Sequence, residues 1–197
     1  FRALVSAVRT YADRVGHQPV LLGLSGGIDS AVTAAIAVAA VGADRVTGVI
    51  MPSEYSSDHS VRDARELAER LGLATCLEIP IESIHRTVAE TLNRADASID
   101  VIAEGSLADQ NIQARARGLV LMALSNARGG LVLSTGNKSE VAVGYVTLYG
   151  DMCGALAVLG DVLKGDVYGL ARWMNDHPAE GPWRSAPIPE STVTKPP

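Results

Sequence analysis

Two rhythms of apolar residues run along this chain. Over residues 2–15, RALVSAVRTYADRV, the positions Leu4, Val5, Val8, Tyr11, Ala12 and Val15 recur at helical spacing. Pro19 then precedes VLLGLS, a continuous apolar run of the kind that forms a strand buried on both faces. The helical rhythm returns from Asp29 to Val41, and Gly42 stands where a C-terminal cap belongs. Residues 45–51 (RVTGVIM), 74–79 (ATCLEI) and 131–135 (LVLST) read as three further strands. Helices are predicted over 58–71, closed by Gly72, over 81–92, and over 107–128, ended by Gly129-Gly130. A short helix over 137–143 and a last one from Val162 or Lys164 to Asn175 complete the set.

Between these elements, MPSEYSS (51–57) reads as a loop, 93–106 as a loop or partly ordered excursion, and 144–160 as a Gly-rich polar segment. Strands alternating with helices predict an α/β fold, a doubly wound and mostly parallel sheet with flanking helices and right-handed crossovers. No internal repeat is present. Residues 1–187 form the expected domain, and the Pro/Ser/Thr-rich 188–197 a mobile tail.

Composition narrows the function classes. A chain of 197 residues supports one sizeable core. A net charge of −5 argues against a general nucleic-acid binder. Cys76 and Cys153 lie far apart, neither a disulfide framework nor a zinc motif, so the cytoplasm is the natural compartment. The small-apolar run over 31–43 is too short for a bilayer and no signal peptide is visible, so no membrane association is expected. His17, His59, His85 and His177 are scattered without ligand spacing and receive no metal or catalytic role. The chain opens on Phe1 rather than Met and closes on a Pro-rich stretch, so a piece of a longer protein is expected.

The chemistry concentrates in GLSGGIDS (23–30). Gly26 and Gly27 at a strand end let backbone N–H groups approach an anion, and the helix that follows adds the partial positive charge of its N-terminus. Ser25 and Ser30 add hydroxyl donors. Asp29 is the odd member, because a carboxylate repels phosphate. It fits either as a helix N-cap or as a ligand to a hydrated Mg²⁺ bridging to the phosphates. A P-loop is excluded for want of G-x-x-x-x-G-K-S/T, and the glycines do not space as a dinucleotide fingerprint.

SGGIDS resembles the S-G-G-x-D-S signature of the ATP pyrophosphatases, which cleave ATP between the α- and β-phosphates. With NIQARARG (111–118), STGNKSE (134–140) and GYVTLYGD (144–151), the chain is similar to the NAD synthetases, and most to the synthetase half of the glutamine-dependent form. That resemblance implies an adenine nucleotide α-hydrolase-like fold and ATP-dependent amidation of deamido-NAD through an acyl adenylate. It implies ATP on Gly23, Leu24, Ser25, Gly26, Gly27, Ile28, Asp29, Ser30, Thr135 and Lys164. Deamido-NAD would lie on Asn111, Arg115, Glu140 and Asp151, and Mg²⁺ on Asp29 and Glu140; Asp29, Glu140 and Lys164 are the implied catalytic set.

On a helix, Asn111 and Arg115 share one face and Gln113 and Arg117 another, so one pair can meet a ligand while the other serves structure or a subunit contact. The resemblance favours Asn111 with Arg115. Tyr145 and Tyr149 either stack on the nicotinate ring or pack in the Gly-rich segment. Some relatives have a basic residue within or next to the 51–57 loop, where this chain has Glu54. The resemblance further implies a homodimer or larger homo-oligomer, and ammonia drawn from glutamine by an N-terminal amidase domain outside these residues. The alternative is another ATP pyrophosphatase, GMP synthetase-like or tRNA-modifying.

Overall fold

A computed structural model describes residues 1–16, 18–95 and 102–195. His17, residues 96–101 of the predicted excursion and the last two residues of the predicted tail lie outside the described residues. Eight helices and five strands are described: α1 (Arg2–Arg14), β1 (Val20–Gly23), α2 (Ile28–Val41), β2 (Val46–Ile50), α3 (Asp58–Leu71), β3 (Thr75–Glu78), α4 (Glu82–Ala95), α5 (Leu107–Arg128), β4 (Leu131–Ser134), α6 (Lys138–Val143), β5 (Leu156–Ala157), α7 (Lys164–Asp176) and α8 (Glu190–Thr194).

The sheet is parallel throughout, in the order β3-β2-β1-β4-β5. In β1, Leu21 stands opposite Thr47 on one side and Val132 on the other. The chain winds outward from β1 to β3, then crosses back to β4 on β1's other side. The switch of direction therefore falls between β1 and β4, where the carboxyl ends of the strands splay around a crevice.

Each face of the sheet has its own core. On one face Val20, Leu22 and Leu24 pack with α2, Val8 of α1 and Met174 of α7. On the other, Val49, Met51 and Val132 pack with Ala116, Val120 and Leu121 of α5. Nearly every residue of α2 is buried, which explains its uniform small-apolar composition: a helix covered on all sides has no polar stripe. Its alanines let α1 and α7 approach closely. Truncating Leu22, fully buried at the centre, removes about 2–5 kcal/mol.

Several sequence expectations are revised here. Helix α2 starts at Ile28 with Gly27 as its N-cap, so Asp29 lies in the first turn and caps nothing. Helix α4 runs on to Ala95, and β5 is a fifth strand too short to show a period. Residues 188–195 of the expected mobile tail are packed on the fold. Ile188 is fully buried, its backbone exchanges two hydrogen bonds with the Asn175 amide, and α8 follows at once. Ser191 Oγ then donates to buried Asp63 at 3.0 Å, which pins α8 to α3.

Candidate active site

The site begins where β1 ends. Gly26 has φ +76°, and a Cβ there would lie 2.2 Å from the Ser60 carbonyl oxygen, so the turn can hug the first turn of α3 only as glycine. Serine hydroxyls hold the turn's shape. Ser25 Oγ accepts from the Gly27 N–H at 3.2 Å, and Ser30 Oγ donates to the Gly27 carbonyl at 3.0 Å. The two hydroxyls lie 3.1 Å apart. The first turn of α2 points its N–H groups at this end, and its dipole favours an anion beside it.

Asp29 is held from two other elements. Fully buried Asn137, the N-cap of α6, donates from Nδ2 to Asp29 Oδ1 at 2.9 Å. Its own Oδ1 accepts from the Glu140 N–H at 3.1 Å, and Glu140 Oε2 accepts from the Asn137 N–H at 3.2 Å, a reciprocal capping box. One carboxylate oxygen of Glu140 thus builds the helix start. The other, Oε1, lies 3.9 Å from Lys164 Nζ. Lys164 donates in turn to Asp29 Oδ2. Lys164 opens α7, where the helix dipole disfavours a cation, and the two carboxylates offset that penalty. Asp29, Glu140 and Lys164, distant in sequence, form one cluster at the glycine turn.

A cleft of about 330 Å³ spreads from this cluster across the ends of β1 and β4. Gly23, Leu24, Ser25, Asp29 and Ser30 line it from the β1 side, and Thr135 and Glu140 from the β4 side. Ala114, Arg117, Gly118 and Leu121 of α5 close it opposite. A second chamber of about 540 Å³ lies beyond Asp29 and Glu140, bordered by Gly27, Ile28 and Lys164. Gly26 lines neither space; it serves the turn through its packing on Ser60.

Arg117 is the residue that the sequence reading underrated. Its Nε donates to the Met51 carbonyl at 3.4 Å, burial pushes its pKa below the usual arginine value, and its side chain borders the cleft. Among the described residues no carboxylate pairs with it, so its charge is free to meet a ligand. The i, i+3, i+4, i+7 spacing of Ala114, Arg117, Gly118 and Leu121 was the available signal. Met51 and Asn137 were missed as well; nothing local marks Met51, while the Asn-x-x-Glu capping signature marked Asn137 as a helix start and not as a partner of Asp29.

Asn111 and Arg115 do lie on one face of α5, but neither lines the cleft. Asn111 Oδ1 accepts from Thr147 Oγ1 at 2.7 Å, and exposed Arg115 donates from Nε to the Leu148 carbonyl at 3.2 Å. Both hold the Gly-rich segment against α5. Gly118 makes that contact possible, since a Cβ there would stand 2.5 Å from the Tyr149 carbonyl oxygen. Asp151 borders the cleft while its carboxylate accepts from the Thr147 N–H at 2.7 Å. Tyr145 borders both spaces and is 79% exposed; Tyr149, 81% exposed, holds φ +63°. His85 is a structural group, bonded to buried Asp109 at 2.5 Å where α4 meets α5.

A glycine turn at the switch point of a doubly wound parallel sheet, with a lysine–carboxylate cluster beside it, defines a protein of the ATP pyrophosphatase fold. The profile of the NAD synthase family matches residues 1–197, and the chain belongs to that family. A glutamine-dependent NAD(+) synthetase from Thermotoga maritima is 48% identical over 198 residues, covering all of this chain and 32% of the relative. The structure of the glutamine-dependent NAD+ synthetase from Acinetobacter baumannii in complex with ADP superposes with a TM-score of 0.89 at 49% identity, over 98% of this chain and 35% of that one. The NH3-dependent NAD synthetase from Campylobacter jejuni superposes with a TM-score of 0.75 at 30% identity, over 88% of this chain and 71% of that one. The chain spans about a third of the length of the glutamine-dependent relatives.

Proposed function

We propose that this chain carries out ATP-dependent amidation of deamido-NAD to NAD, as the synthetase part of a glutamine-dependent enzyme. The observation that carries the reading is the cluster of Asp29, Glu140 and Lys164 on the glycine turn, at the switch-point cleft of a member of this family. ATP enters the cleft with its base and ribose along the ends of β1 and β4, near Arg117 and Thr135, and its phosphates at the glycine turn. The ADP-bound Acinetobacter relative supports an adenine nucleotide here.

The nicotinate carboxylate of deamido-NAD attacks the α-phosphate, the bond to the β-phosphate breaks, and pyrophosphate leaves. Ammonia then attacks the acyl carbon, AMP departs, and a proton is released. Carboxylates are poor acylating agents, so the adenylate supplies the leaving group. No covalent protein nucleophile is needed. The protein positions the reactants and neutralises the growing charge. Lys164 meets the departing pyrophosphate with a point charge, and the N–H groups of the glycine turn and of α2 donate to phosphate oxygens. Asn111, Arg115 and Asp151 act through the Gly-rich segment, which forms the deamido-NAD side of the site.

Mg²⁺ fits the cluster. Asp29 and Glu140 are hard oxygen donors that already converge on one cation, the Lys164 ammonium. Mg²⁺ keeps several waters and shares phosphate ligands, so two carboxylates suffice to hold it. When bound, it supplies neutralisation of phosphate charge. An amidase domain delivers ammonia from glutamine, the protein works as a homo-oligomer, and the cytoplasm is its compartment. Among the described residues, no helix is long and apolar enough to cross a membrane.

The test is direct: the purified protein with Mg-ATP, ammonium and deamido-NAD, followed for NAD and AMP. Equimolar NAD and AMP are expected. AMP formed only with a different acceptor, a guanine-nucleotide precursor or a tRNA, would overturn the assignment.

A further inference from the structure

Asp29, Glu140 and Lys164 come from three elements, α2, α6 and α7, and nothing within any one of them sets its distance to the other two. Glu140 lies on α6, a helix of six residues with none of them buried. Val141, Ala142 and Val143 are all exposed, so no apolar face docks this helix, and a helix this short does not hold itself. Hydrogen bonds therefore locate it. We propose that Asn137 and Ser139 are positioning residues for the reaction, which register Asp29 and Lys164 against Glu140 through the start of α6. The inference rests on the functional reading above and adds to it two residues that act through the cluster.

Asn137 is fully buried and both ends of its amide are engaged. Nδ2 donates to Asp29 Oδ1 at 2.9 Å, and Oδ1 accepts from the Glu140 N–H at 3.1 Å. Its own N–H donates to Glu140 Oε2 at 3.2 Å. One residue thus holds both carboxylates. The amide orientation follows from its partners, since an ionised carboxylate only accepts and a backbone N–H only donates. Capping α6 needs no more than an acceptor, which serine or aspartate supplies as well. Reaching Asp29 needs a donor besides, which aspartate lacks and serine is too short to bring. Asparagine meets both demands at once.

Ser139 makes the matching link to the cation. Lys164 is the first residue of α7, and the N-cap of that helix, Leu163, has no side-chain acceptor to offer. Ser139 supplies the cap from another helix, with Oγ accepting from the Lys164 N–H at 3.0 Å. The Lys138 N–H donates to the Val162 carbonyl at 2.9 Å and ties the same two helix starts together. The helices on either side are rigid references: α2 is buried along nearly its whole length, and α7 is seated in the core by Val167, Ala171 and Met174. The start of α6 bridges them, and the 3.9 Å between Glu140 Oε1 and Lys164 Nζ follows from that bridge. A misplacement of about 1 Å at reacting groups costs up to about a hundredfold in rate, so these bonds bear on turnover.

The test combines steady-state rates with hydrogen exchange at the Lys164 amide, read by NMR on the purified protein without nucleotide. Asn137→Ser keeps the cap and loses the donor to Asp29, so kcat for NAD formation falls about thirtyfold while KM for ATP stays within about twofold. Ser139→Ala lowers kcat about fivefold and speeds exchange at the Lys164 amide about tenfold; Ser139→Thr, which keeps the hydroxyl, restores both. Ser139 is half-buried, so its variants test the same claim without touching the core. The double variant loses no more than about twice what Asn137→Ser loses alone, because the two residues act as one unit. Three results overturn the proposal: kcat per folded molecule unchanged with only the thermal midpoint lowered, KM for ATP rising with kcat unchanged, or losses that multiply in the double variant. The two readings fail separately. Faster Lys164 exchange in Ser139→Ala, in a protein that forms no NAD, sinks the functional assignment alone. NAD formation with unchanged kcat in Asn137→Ser and Ser139→Ala sinks the positioning role alone.

Discussion

At the residue scale, charge placement governs the site. Asp29 stands at the glycine turn proposed to hold phosphate, a position that repels an anion unless cations intervene. It is tolerated because Asn137 and Lys164 each donate to one of its oxygens. Glu140 divides its two oxygens between the start of α6 and the cation, so Glu140→Gln separates the roles. The amide oxygen still accepts from the Asn137 N–H, and the charge is lost. NAD formation is expected to fall by about two orders of magnitude with the thermal midpoint nearly unchanged. A large loss of stability would instead mark Glu140 as structural. Arg117 is argued from its burial without a counter-ion. Arg117→Lys keeps the charge and loses the planar fork, so KM for ATP should rise about tenfold with kcat less affected, read from initial rates.

At the element scale, the starts of two helices, α2 and α3, meet at one glycine. Gly26 sits where both its φ and the Ser60 carbonyl exclude a side chain. Gly26→Ala is expected to destabilise the protein by about 3 kcal/mol or more, measured by urea unfolding, and to weaken pyrophosphate and ATP together, because α3 must retreat from the turn. A neutral effect would mean that the turn relaxes freely. Helix boundaries were the best-read feature of the sequence. The predicted spans 58–71 and 107–128 coincide with α3 and α5, since each has a serine N-cap before it and a glycine after it. Glycine and serine at helix ends act through local backbone chemistry, which the sequence displays. Strand β5 and helix α8 escaped because each is too short for a period, and tertiary contacts hold them.

At the scale of the whole molecule, the Gly-rich segment and the helices beside it leave large apolar side chains exposed. Leu119 of α5 is 61% exposed, and Val143, Leu148 and the two tyrosines nearby are more so. The Gly-rich segment packs on α5 through Arg115 and Asn111, so Leu148 and Tyr149 are exposed on the segment that α5 holds. The proposed homo-oligomer would bury these side chains. Sedimentation velocity should report a dimer, and Leu148→Asp with Tyr149→Asp should shift it toward monomer. A monomeric parent protein would refute the assignment of this surface. An acidic molecule proposed to bind two anions also needs its local cations to outweigh its net charge. Arg117, Lys164 and Lys195 are spread around the two spaces to that effect.

The sequence by itself determined the α/β class, the course of the main helices and the glycine turn at the end of β1. Each of these follows from local spacing: period, caps and a glycine pair at a strand end. It also determined the family, because four short stretches stand in the right order. Only the tertiary structure decided which side chains share the site. Asn137 reaches Asp29 across more than a hundred residues of chain, and α5 turns Arg117, not Arg115, into the cleft. The rotation of a helix about its axis is set by what packs on either side of it, and no local pattern carries that information. The same holds for residues 188–195. Their composition reads as tail, yet one buried isoleucine and a serine on Asp63 fasten them to the fold.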